Sequence, residues 1–290
     1  LGVIGEGGNR WVNGASMENK GWEFSLGYHD ETSFGLKYDI SGNISANENK
    51  ITKLPDEVKN NYGGDGLDDN ILGRPINSMY GYVTDGLFTS QDQVDNSAIQ
   101  EGKGLGRIRY KDLNGDGTIT DKDRTWIGNP NPGLLYGINL NLSYKNFDFT
   151  TFWEGATDVD VINNTKYQTD FWSVDDVGSN KGTRLLNAWS LDNPNSTIPA
   201  LTTVDRNAES RFSTYYVENG NYLKLRVLQF GYSLPKDLLK KLSMESFRFY
   251  ISGQNLLIID AKSFTGVDPE NAGFGYPQPT TFTAGLNFTL

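Results

Sequence analysis

The stretch Asp112 to Asp123, DLNGDGTITDKD, sets oxygen-bearing side chains at the spacing of a calcium loop. Asp112, Asn114 and Asp116 stand at its first, third and fifth positions. Gly117 follows where the chain must turn sharply, and Thr118 offers a backbone carbonyl at the next position. Asp123 closes the loop, where a glutamate is more usual, and its shorter arm would bind through one oxygen or through water. Calcium is a hard ion that takes roughly 6–8 oxygens, and this spacing wraps them around one point. Ca2+ is therefore the expected cofactor, with Asp112, Asn114, Asp116, Thr118 and Asp123 as its ligands. The competing reading is an Asp/Asn/Gly-rich turn without a metal. The preceding GRIRY reads as extended chain, so this is a lone ion-braced loop and not a helix-flanked sensor.

A second group of residues could bind a ligand without altering it. The segment Gly155–Asn221 holds Tyr167, Phe171, Trp172, Trp189, Tyr215 and Tyr216. Exposed aromatic rings are stacking platforms for sugars, which makes Tyr167, Phe171, Trp172 and Trp189 candidate substrate contacts. Equally, a folded loop of this length packs on its own side chains. Arg107, Arg109 and Lys111 form an alternating basic stripe, expected to face lumen or solvent or to pair with nearby acidic side chains. Bond-making chemistry finds no support. The chain has no cysteine, one histidine (His29, in an expected turn), no phosphate-cradling loop and no carboxylate pair that stands out as an acid/base couple. A non-enzyme is expected, and a glycan-cleaving enzyme lacks the paired carboxylates it needs.

The elements that would carry these residues are strands. Leu134–Tyr144 reads LLYGINLNLSY, with Leu134, Tyr136, Ile138, Leu140, Leu142 and Tyr144 on one face. Thr280–Leu290 repeats the pattern, with Phe282, Ala284, Leu286, Phe288 and Leu290 in register. Strand side chains alternate between faces, so each segment has one oily and one wet face. Its length is that of a membrane-spanning barrel strand, about 9–11 residues. Further strands are expected at Trp22–Tyr28, Phe34–Ile44, Phe147 to about Glu154, Tyr222–Leu234 and Phe247 to about Leu257. In Tyr222–Leu234 the apolar parity switches from odd to even, which predicts a β-bulge near Leu228 or Gln229. Tyr28, Tyr144, Phe147, Trp153, Tyr232 and Phe288 near strand ends suit interfacial girdles.

The connections alternate strictly. Short ones at 29–33, 145–146 and 235–246 interleave with long ones at 45–133, 155–221 and 258–279. Successive connections of a meander lie on opposite rims, and outer-membrane barrels carry short periplasmic turns and long extracellular loops. The expected fold is therefore all-β, an antiparallel up-and-down meander forming an arc of about seven strands of a large transmembrane β-barrel. Net charge is -10, which argues against nucleic acid as a partner. No apolar run reaches the ~18 residues of a membrane helix, which a barrel does not need. The alternative is a soluble calcium-braced carbohydrate-binding β-sandwich, whose strands alternate in the same way.

Several stretches together resemble the SusC/RagA-type TonB-dependent transporters of Bacteroidota outer membranes. They are MENKGWEFSLGY (Met17–Tyr28), GRPINSMYGYVTDGLF (Gly73–Phe88), GRIRYKDLNGDGTITDKDRTWIGNPNPGLLYGINL (Gly106–Leu140), YYVENGNYLKLRVLQFGYSLP (Tyr215–Pro235) and FRFYISGQNLL (Phe247–Leu257). The resemblance implies a 22-stranded barrel of which residues 1–290 are the C-terminal part, without plug domain or N-terminal strands. It implies import of oligosaccharides or peptides across the bacterial outer membrane, with a SusD-like surface lipoprotein as lid and TonB acting through the missing N-terminal part. Its terminus departs slightly from the family, ending on Leu290 with Phe288 two residues in. An arc alone cannot close and should not transport.

Overall fold

The computed structural model describes residues 14–55, 67–172, 180–202 and 207–290, excluding the side chains of residues 171 and 172. Its frame is one seven-stranded antiparallel sheet in chain order. The strands are β1 (Ser16–Glu31), β2 (Leu36–Lys53), β3 (Leu134–Tyr144), β4 (Phe147–Thr157), β5 (Tyr222–Ser233), β6 (Ser246–Asp260) and β7 (Thr281–Thr289). The strands do not divide into two stacked sheets, and this removes the sandwich alternative. Among the described residues the sheet is open, since β1 and β7 do not pair with each other.

Register carries the alternation of single strands across the whole wall. Tyr38, Leu142, Phe149, Phe230, Ile251 and Ala284 form one apolar rung from β2 to β7. One step along, His29, Asp39, Asn141, Thr150, Gln229, Ser252 and Thr283 form a polar rung on the other face. Period two makes these the two faces of one sheet.

The bulge in β5 lies at Arg226, two residues before the expected position. Leu225 pairs with Trp153 and Val227 with Phe152, so Arg226 is the extra residue. Arg226 and Val227 both fall on the polar side, which lets Leu225 and Leu228 share the apolar face despite opposite parity. The parity of Leu228 onward shows the consequence of the bulge, not its place. On the other side of β5, Asn255 at φ 53° helps absorb a matching irregularity in β6.

Two strands overrun their expected ends. β1 and β2 stay paired through Glu18–Lys50 and Lys20–Glu48, where both faces are polar. Hydrophobic alternation ends there while the hydrogen-bonded ladder goes on. An 18-residue strand is about 60 Å long, roughly twice a hydrocarbon core before tilt.

The wall has no core of its own, and large apolar side chains stand open on it, such as Leu26 at 66% and Phe282 at 78% exposure. The buried cluster lies in the long connections instead, where Tyr82, Leu87, Ile108, Tyr110, Trp189 and Tyr216 pack together. Three short strand pairs frame it: Met79–Tyr82 with Arg124–Gly128, Thr84–Leu87 with Ile108–Tyr110, and Asp160–Ile162 with Val217–Asn219. Because the wall strands run antiparallel in chain order, the three long connections share one rim and the three short ones the other. The last short connection holds the short helix Lys236–Lys241, whose Leu239 is buried.

Candidate functional site

The Asp112–Asp123 loop is braced by its own backbone. Asp112 accepts from the Gly115 and Gly117 amides, both at 2.8 Å. Asn114 Oδ1 accepts from Asp116 N and Asp116 Oδ1 from Thr118 N, each at 2.9 Å. Gly117 has φ 83°, a left-handed conformation that disfavours a side chain and explains the glycine there. Ile119 pins the loop, its amide donating to Ile99 O at 2.8 Å, and Tyr82 joins it to the buried cluster through Asp121 at 2.7 Å.

Asp123 stands apart. It is fully buried, and its two oxygens accept from Leu113 N at 2.9 Å and Thr120 N at 2.7 Å. With Thr120 it forms a capping box on the short helical turn Asp121–Asp123. Among the described residues no group of three or more histidine or acidic side chains is gathered to hold a metal. Asn114 and Asp116 are exposed and Asp112 and Thr118 partly so, unlike Asp123. Asp116 Oδ2 accepts from Asn114 Nδ2 at 2.9 Å, and each carboxylate oxygen of Asp112 and Asp116 keeps a second lone pair beyond these contacts.

The four aromatic candidates occupy different settings. Trp189 is a core residue at 8% exposure, its Nε1 donating to Pro194 O at 3.1 Å. Gly106, at φ 74°, lies so close that an added Cβ would stand 2.4 Å from the indole. No open ring face is left for a ligand. Tyr167 packs against the same cluster, edge-on to Tyr216 at 4.9 Å between centroids. Phe171 and Trp172 end a helical turn, and their side chains lie outside the described residues. The two arginines of the basic stripe are paired, Arg107 with the buried Glu209 at 2.7 Å and Arg109 with Asp85 at 2.8 Å, while Lys111 is exposed.

Two charged clusters, not foreseen from sequence, join the long connections to each other and to the wall. In the first, Glu218 accepts from Thr265 N at 2.8 Å, Thr265 Oγ1 at 2.7 Å and Asn163 Nδ2 at 3.0 Å. Lys166 faces Glu218 at 3.2 Å. Burial pushes the Glu218 carboxyl up, but the Thr265 hydrogen bonds and Lys166 outweigh it, so its pKa is lowered. For Lys166 burial wins over the attraction of Glu218, and its pKa is lowered. Burial raises Asp170, whose Oδ2 accepts from Tyr215 at 2.8 Å. In the second cluster Lys224 and Arg226 meet Asp268, Glu270 and Glu154 on the polar face. Two charged residues on one face of an otherwise apolar strand were a visible signal. Their partners lie more than 40 residues away and carried none.

No family model matches the chain. It is 33% identical over 306 residues to TonB-dependent receptor P3 of Formosa agariphila, covering 95% of this chain and 29% of that protein. It is 30% identical over 298 residues to receptor P26 of the same organism, with 96% and 30% covered. To TonB-dependent receptor SusC of Bacteroides thetaiotaomicron it is 29% identical over 284 residues, with 95% and 26% covered. Among solved structures, the RagAB peptide transporter superposes with TM-score 0.70 at 24% identity, over 96% of this chain and 29% of that one. The chain thus spans less than a third of the length of the relatives it matches. An open meander with one apolar and one polar face, aligned nearly end to end with such receptors, is part of a barrel wall: the chain belongs to the SusC/RagA-type TonB-dependent receptors of the outer membrane, as a segment of their barrel.

Proposed function

We propose that the complete protein imports a nutrient, an oligosaccharide or a peptide, across the outer membrane, with a SusD-like lipoprotein on its long-loop rim and TonB engaged by the rest of the receptor. The observation that carries this is the two-faced wall. Its apolar rungs suit lipid and its polar rungs suit a water-filled passage. The relatives' names, receptors and a peptide transporter among them, support the class of activity. Recognition falls to the long connections, where Phe171 and Trp172 contact substrate while Trp189 and Tyr167 hold the loops in shape. Deleting the gene should abolish growth on one glycan or peptide source, and restoring it with Trp172→Ala should weaken that growth. Unaltered growth of the deletion strain on every oligosaccharide and peptide source tested would sink the proposal.

The Asp112–Asp123 loop holds a calcium-class cation in this reading. Asp112, Asn114, Asp116 and the Thr118 carbonyl supply the oxygens, and Asp123 fixes the loop from behind. The bound ion neutralises the two carboxylates, Asp112 and Asp116, and stiffens the rim. Titration calorimetry of the purified receptor with Ca2+ should show one site that Asp112→Asn with Asp116→Asn removes. Equal heats from both proteins would reduce the loop to a turn.

A further inference from the structure

The connection between β6 and β7 folds back over the polar face of the wall. Lys224 of β5, 1% exposed, donates to Asp268 at 2.8 Å and Glu270 at 2.5 Å. Arg226, placed by the bulge, donates to Glu270 as well, and to Gln278 at 3.2 Å and Glu154 at 2.5 Å. The segment is therefore tied down at both ends. Between the ties Phe274 and Tyr276 are 64% and 89% exposed, and Gly273 and Gly275 flank Phe274. The segment is also joined sideways, since the Asn164 amide donates to Ala272 O at 3.0 Å.

The cluster holds two cations, Lys224 and Arg226, against three carboxylates, and Glu270 is the one both cations share. Glu270 is also open to water, its side chain 31% exposed against 6% for Asp268. If Glu270 leaves, Lys224 keeps Asp268 and Arg226 keeps Glu154, so no buried charge is stranded. That is the property of a latch.

We propose that residues 269–278 are a flap over the polar face, hinged at Asp268 and latched by Glu270, whose release also frees the start of the neighbouring connection at Asn164. On the reading that the polar face lines the passage, the flap carries Phe274 and Tyr276 into and out of it. Transmission runs through the Asn164–Ala272 hydrogen bond. The hinge stays closed because Thr265, behind it, is held separately by Glu218.

The test is amide hydrogen exchange on the full receptor in detergent, comparing native protein with Glu270→Gln. Heat-modifiable migration on gels first establishes that the variant is assembled. Exchange should quicken about tenfold at Asn271 and Asn164 while Thr265 and Phe230 keep their native rates. Unchanged rates at Asn164, or an equal rise at all four amides, would overturn the proposal. Should Glu270→Gln fail to assemble, Gln278→Ala removes only the second tie and should raise the same two rates to a smaller extent. A constant Asn164 rate there is equally fatal. The readout is independent of transport, so its failure would leave the import reading standing.

Discussion

At the scale of single residues, the rim depends on a few buried groups. Trp189 fills the centre of the long-loop cluster, and Trp189→Ala should cost about 3–5 kcal/mol, seen as early protease nicking of the rim with the barrel intact. Gly106→Ala should mimic it, because the added methyl meets both the indole and, at 2.6 Å, Ala200. Glu218 sets an acid limit. Its folded pKa is lowered, so its contribution is fully present above the ordinary carboxylate value near 4.3 and is lost as pH falls through the lowered one. Protection of the Thr265 amide, its exchange rate taken against the intrinsic rate at each pH, should therefore fall below about pH 4, and Glu218→Gln should flatten that fall. A variant as acid-sensitive as the native protein would remove Glu218 from this role. The ligand spacing of the Asp112–Asp123 loop was legible because it is local. That Asp123 faces inward to backbone amides was not, since only folding decides which oxygens the backbone takes. Trp189 illustrates the same limit: an aromatic in a long loop reads alike whether it stacks on a ligand or on Gly106.

At the scale of elements, the wall was largely legible. Leu134–Tyr144 was expected with its observed bounds because its alternation of apolar and polar residues runs the whole length of the strand. The bulge was legible only as a parity change, since the bulged residue carries no hydrophobic mark of its own. The polar extension of β1 and β2 was invisible for a related reason, because ladder hydrogen bonds need no pattern of side chains. The rungs yield a sharp test. Leu140 and Asn141 are neighbours in sequence on opposite faces. Leu140→Arg should lower barrel stability by about 2–4 kcal/mol if it lies near the midplane, whereas Asn141→Arg should be tolerated. Leu286→Arg should behave like Leu140→Arg. Assembly yield and urea midpoint of the full receptor in lipid would measure both, and equal damage at 140 and 141 would contradict the face assignment.

At the scale of the whole molecule, β1 and β7 leave their outer edges unpaired among the described residues. In lipid each unpaired backbone group is costly, so the arc is stable only inside a closed barrel. Expressed alone, residues 1–290 should give aggregates with no heat-modifiable band, while the full receptor refolds. A discrete folded monomer of the isolated arc would contradict this. Pairing in strict chain order has one more consequence. For its pairing each strand has to match only the two beside it, and the wall grips what hangs between them at a few points, such as Lys224 and Arg226 on Asp268 and Glu270. A long connection can thus be lengthened, shortened or exchanged without moving a rung, provided its two ends return to the same pair of strands and the partners of buried wall charges such as Lys224 are kept. The wall and the rim are two texts bound in one spine: a grammar of neighbours, and a vocabulary of loops that can be rewritten wherever no strand holds them.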